Sequence, residues 1–202
     1  MATAVGATWH DSAMPTAPPP PLILLRGEEQ LLVDRAVARA LAAARAADPA
    51  TERRDAQASG MTPGDFVDLV APSLFAEPRV VVVRGAQESA KDLATAIEQY
   101  AAAPVDGVTV LVHHAGGARN KPLADALVKA GAAVVSCLPI TRASDRIEFV
   151  RSEIKAAGGN TTPAAAALLV EAIGSDLPEL ASAVSQLVAD TGGTVDEAAV
   201  NR

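Results

Sequence analysis

The sequence predicts an α/β fold: a parallel sheet wrapped by helices, followed by a small three-helix domain. Three features lead to that expectation. Short apolar runs bounded by Gly, Pro or charge recur through the first 140 residues, as strands covered on both faces require. Stretches of helical periodicity separate them. After Pro139 the runs cease and only the helical pattern continues.

Taken in order, the strand runs are Leu22–Leu25, Val80–Val83, Val108–Val112 and Ala133–Ser136, with a weaker candidate at Arg53–Gln57. Between them, Val33, Val37, Ala40, Leu41 and Ala44 form one helical face. Leu93, Ile97 and Ala101 form another, and Leu123, Ala126, Leu127 and Ala130 a third. Thr62 followed by Pro63 opens a short helix that Pro72 disfavours continuing. Alternation of strand and helix implies parallel strands joined by right-handed crossovers.

Beyond Pro139, Ile147, Val150 and Ile154 mark a helix that stops at Gly158-Gly159-Asn160. Thr162-Pro163 starts the next, burying Leu168, Leu169 and Ile173. A third runs from about Pro178, with Leu180, Val184, Leu187 and Val188 inward. Thr194-Val195-Asp196-Glu197 has the capping-box pattern that opens a further helix. The expected organisation is a Pro-rich disordered leader over 1–21, an α/β domain over 22–140 and a helical domain over 141–202.

Half the residues are apolar and only 2% are aromatic, so Ala, Val, Leu and Ile must build the core. A net charge of −7 argues against tight binding of nucleic acid by the chain alone, because that affinity comes from Lys and Arg on phosphates. The single Cys137 excludes an internal disulfide, lies in an apolar run and suits a reducing cytoplasm. The leader lacks the basic start and apolar stretch of a signal peptide, and no run approaches the length of a membrane helix.

Catalytic motifs are missing. A phosphate loop needs a second glycine, a lysine and a hydroxyl after the first strand. Gly27 is instead followed by Glu28-Glu29-Gln30-Leu31 and then Leu32, Val33 and Asp34, which puts two carboxylates where phosphate would lie. The run Val80–Val83 leads into Arg84-Gly85, without the acidic metal ligand expected there. No dinucleotide or nucleophile-elbow motif is present. His113 and His114 end a strand but point to opposite faces, so they read as structural. The expectation is no catalysis, no cofactor and no metal.

The most informative stretch lies between Pro63 and Val80. Pro72 and Pro78 bracket Ser73, Leu74 and Phe75 in a loop. On spacing alone, Leu74 and Phe75 either plug the sheet edge or serve as an apolar anchor for a partner's groove.

Here the order of motifs resembles a known family. A strand with a degenerate Gly-Glu-Glu turn precedes Ser73-Leu74-Phe75 and then Arg79 to Ala86. Asn120-Lys121-Pro122-Leu123 through Gly131 follows, and then the domain with Leu168-Leu169 and Asp176-Leu177. Over about residues 22–202 this is similar to the delta subunit of the bacterial DNA polymerase III clamp loader. The resemblance implies an ATPase-like (AAA+) fold that has lost nucleotide binding, with a small helical lid. It also implies a C-terminal collar beyond residue 202, so the chain reads as the N-terminal part of a longer protein.

The resemblance further implies a component of the DNA polymerase III holoenzyme that does not hydrolyse ATP. Its expected partners are the sliding clamp (the beta subunit), other loader subunits through the collar, and DNA only within the complex. Ser73, Leu74 and Phe75 match the family's clamp-binding position. The Pro-rich leader departs from the family pattern. Two alternatives are an inactive AAA+-like scaffold in another assembly and a nucleotide-dependent enzyme with an unorthodox phosphate loop.

Overall fold

A computed structural model describes residues 18–73 and 77–201, which fall into two units, Met1–Pro139 and Ile140–Arg202. In the first, β1 (Leu22–Arg26), β2 (Glu52–Gln57), β3 (Arg79–Arg84), β4 (Val108–His114) and β5 (Ala133–Ser136) form one sheet in the order β2-β3-β4-β1-β5. Every pairing in it is parallel. The helices are α1 (Gln30–Ala47), α2 (Pro63–Val70), α3 (Lys91–Ala102) and α4 (Lys121–Lys129).

Side-chain alternation along the strands divides the core in two. Ile23, Leu25, Val80, Val82 and Leu111 face α1, which meets them with Val33, Val37, Ala40 and Ala44. Leu22, Leu24, Val81, Val83, Val110 and Val112 face α2, α3 and α4 on the other side. Burial of both faces explains the continuous apolar runs of β3 and β4. Three of the strands run beyond their apolar runs, because ladder pairing continues through polar residues such as Arg26 opposite His114. The edge strand β2 exposes most of its side chains, which is why its sequence signal is weak. Of the expected leader over 1–21, residues 1–17 lie outside the described residues, while the carbonyl of Pro21 accepts from Val110 N–H at 2.9 Å.

The second unit contains α5 (Ala143–Ala156), α6 (Pro163–Ile173) and α7 (Leu177–Thr191). It adds a short parallel pair, β6 (Asn160–Thr161) with β7 (Thr194–Val195), and a helical turn, α8 (Glu197–Val200). Its buried residues include Phe149, Val150, Ile154, Leu169, Leu177, Leu180 and Val184. Leu168, Ile173, Leu187 and Val188 are only half-buried, because the buried faces are centred on Ala165, Ala166, Leu169 and Val170 in α6 and on Leu177, Leu180 and Val184 in α7.

Thr194 is not the cap of the last helix. It is drawn into the bridge opposite Asn160, and Asp196 caps α8 by accepting from Ala199 N–H at 2.8 Å. The bridge depends on close approach: a Cβ on Gly159 would lie 2.8 Å from the carbonyl oxygen of Gly193.

Candidate functional site

In parallel sheets, ligands are met at the carboxyl ends of the strands. Here the turn after β1 packs directly on the ends of β4 and β5. Gly27, with φ of +135°, lies so close to the backbone after β5 that a Cβ would be 2.1 Å from the carbonyl oxygen of Cys137. Gly27 N–H donates to the His114 carbonyl at 3.1 Å, and Glu29 N–H to the Cys137 carbonyl at 2.9 Å. The Glu29 carboxylate accepts from Leu31 N–H at 3.4 Å and caps α1. The N–H groups of Gly27, Glu29 and Leu31 therefore already serve protein acceptors, and a carboxylate sits at the positive end of the helix.

The surrounding side chains are held in the same way. His113 Nε2 donates to the Gly27 carbonyl at 2.9 Å. His114, on the opposite face, donates from Nε2 to the Arg119 carbonyl at 3.1 Å and accepts at Nδ1 from Gly116 N–H at 3.0 Å. Burial lowers the pKa of His113 from its ordinary value. Burial, with the charge of Glu29, pushes the Cys137 thiol up to about 11, so it is a poor nucleophile.

At the end of β3, where an acidic metal ligand would be expected, Arg84 pairs with Asp34 at 2.8 Å and with Asp55 at 3.5 Å. Arg53 binds the same Asp55 at 2.6 Å and, with Arg84, holds its carboxyl below the ordinary value. Among the described residues no group of three or more His, Cys, Asp or Glu could hold a metal ion. No helix among them is long and apolar enough to cross a membrane.

The second candidate region is the loop from α2 to β3. Thr62 and Asp65 form a reciprocal capping box, with Thr62 N–H donating to Asp65 at 2.9 Å and Asp65 N–H to Thr62 Oγ at 3.2 Å. That arrangement starts α2, and Phe66 anchors it edge-on to Tyr100 with ring centroids 5.7 Å apart. Val67 points outward and is 59% exposed. Ala71 leaves the helix in an extended conformation, as a residue before proline prefers.

Of the three expected clamp-binding residues, Ser73 donates to the Glu77 carboxylate at 3.3 Å, while Leu74 and Phe75 lie outside the described residues. Arg79, absent from the sequence-level candidates, is buried at the start of β3 and donates to the Ala71 carbonyl at 2.6 Å. Its burial could not be read from the sequence, because a charged residue beside a valine run ordinarily marks the strand's solvent end.

No family model matches the chain, and no curated protein does. Among solved structures it is similar to the Bacillus subtilis DNA clamp loader delta protein, with a TM-score of 0.72 and 18% identity over 90% of this chain. It spans 57% of that protein. It is also similar to the Thermotoga maritima RuvB Holliday junction branch migration motor, with a TM-score of 0.52 and 11% identity over 89% of this chain and 60% of the motor. Five parallel strands in the order β2-β3-β4-β1-β5, flanked by helices and followed by a helical unit, give the chain an AAA+-like fold similar to that of the clamp loader delta protein.

Proposed function

We propose that this chain is the clamp-binding, ring-opening part of a DNA polymerase III clamp-loader delta subunit, acting in the cytoplasm without hydrolysing ATP itself. The observation that carries this reading is the fold likeness to the clamp loader delta protein over 90% of the chain. Two local features support it. At the turn after β1, Gly27 packs against the Cys137 backbone and the Glu29 carboxylate caps α1, an arrangement unlike a phosphate loop. The loop between α2 and β3 is bracketed by Pro72 and Pro78, with Ser73 bonded to Glu77 and the Ala71 carbonyl to Arg79.

Ser73, Leu74 and Phe75 are the proposed clamp contacts, with the two apolar side chains entering a hydrophobic pocket of the ring. The mechanism is differential binding. A ligand shifts an equilibrium only through unequal affinity for the two states. A loop that fits the clamp better when the neighbouring ring interface is sprung turns binding energy into opening energy. Partner loader subunits supply the ATP cycle, and DNA is met only within the assembly.

Titration of the chain against its cognate clamp tests the reading. The double change Leu74→Ala, Phe75→Ala should weaken binding by about 30-fold or more, the usual effect of truncating a central hot spot. Melting temperature should stay nearly unchanged. A large fall in melting temperature with clamp affinity intact would instead make these residues a core plug. Absence of any clamp binding by the unaltered chain would defeat the proposal.

A further inference from the structure

The chain passes from its first unit to its second between Pro139 and Ile140. On the near side, the residue after β5 is held by the turn after β1. Cys137 N–H donates to the Arg26 carbonyl at 2.7 Å, and the Cys137 carbonyl accepts from Glu29 N–H at 2.9 Å. Gly27 packs so tightly on this carbonyl that the backbone there has no room to shift toward it.

On the far side, the second unit holds its own first residues. Arg142, which precedes α5, makes no side-chain cap. Arg146, near the start of α5, folds back instead. Its Nη1 donates to the carbonyls of Ile140 at 3.2 Å and Thr141 at 2.9 Å. Its Nε is buried without a hydrogen-bond partner among the described residues. A cation near a helix N-terminus is disfavoured by the helix dipole, and an orphan buried nitrogen adds a further cost. Arg146 is therefore a poor stabiliser of α5 itself. What it supplies is a hold on the two residues that enter the helix.

Between these anchors lie Leu138 and Pro139. Neither has a main-chain hydrogen bond among the described residues, and Leu138 is 57% exposed. Their freedom is narrow all the same. The proline ring fixes its own φ, and it restricts Leu138 to extended backbone. That leaves φ of Leu138 and ψ of Pro139 as the soft torsions.

We propose that the chain articulates between its two units at Leu138–Pro139 alone, and that Arg146 is the positioning residue that sets where this pivot ends. Hinges are commonly a few element-terminal residues that absorb the backbone change. Here both limits are set by named hydrogen bonds, and the inference does not depend on the clamp reading.

Amide exchange and backbone nitrogen relaxation on the full chain test this. In the unaltered chain, the Leu138 amide should exchange about 100-fold or more faster than that of Cys137. Arg146→Leu should drop the order parameters of Ile140 and Thr141 from about 0.85 to below about 0.6, with Cys137 unmoved and Phe149–Ile154 still protected. Pro139→Gly touches neither anchor and carries the test if the leucine variant does not fold. It should loosen Leu138 while Cys137 and Thr141 stay rigid.

Equal protection of Leu138 and Cys137 overturns the pivot. So does disorder that spreads past Cys137 or Thr141 in Pro139→Gly. Ile140 and Thr141 unchanged in Arg146→Leu, or protection lost along the whole of α5, overturns the role of Arg146.

Discussion

At the end of β4, His113 is held between burial, which lowers its pKa below the ordinary 6.5, and its bond to the Gly27 carbonyl, which raises it. Burial is the larger effect; Arg84 and His114 reinforce it, and Asp34 opposes it. Because the folded pKa is depressed, the unfolded chain binds the proton more readily between the folded value and 6.5. The stability contributed by neutral His113 is therefore present above pH 6.5 and lost as pH falls below it. Melting temperature should decline as pH is lowered from 7.5 to 5, and His113→Asn should flatten that decline. Asp55 and Asp65, both held below the ordinary 3.8, titrate at lower pH and do not contribute to it. An equally steep profile in the variant would show that His113 is not the responsible group.

Among the elements, α2 matters most because it delivers the chain to the loop. Thr62 and Asp65 satisfy two of its otherwise orphan donors. Thr62→Ala should lower unfolding free energy by about 1 kcal/mol, measured by urea denaturation. A loss below a few tenths would mean that the Phe66 and Val70 packing, rather than the cap, sets this helix. The start of α2 was legible in the sequence, since a Thr-Pro pair states its own geometry. The start of α8 was not: Thr194 satisfies the same local rule, but a bridge to Asn160, distant in sequence, takes it first. Likewise β2 announced itself weakly, because an edge strand carries no continuous apolar run.

On the scale of the whole chain, nucleotide binding separates the clamp reading from the alternative of a nucleotide-dependent enzyme. Any ligand that binds the folded state raises its stability, by about 2.7 kcal/mol at 100 times its dissociation constant. Millimolar ATP with magnesium should leave the melting temperature unchanged, because the turn after β1 lacks the phosphate-loop residues and carries the Glu29 carboxylate at the start of α1. A concentration-dependent rise would overturn this and revive the alternative of an unorthodox phosphate loop.

The sequence by itself determined the fold class, since strands buried on both faces must be written as apolar runs and helices as periodic ones. It also determined the absence of a phosphate-loop motif at Gly27 and the proline brackets around Ser73, which are local chemical facts. Only the tertiary structure decided that the carbonyl of Cys137 occupies the space beside Gly27, and that Arg79 lies buried against Ala71. Both are contacts between segments separated in the chain, and they follow from how the strands are ordered in the sheet and where each connection returns. Local residue preferences carry no information about that order.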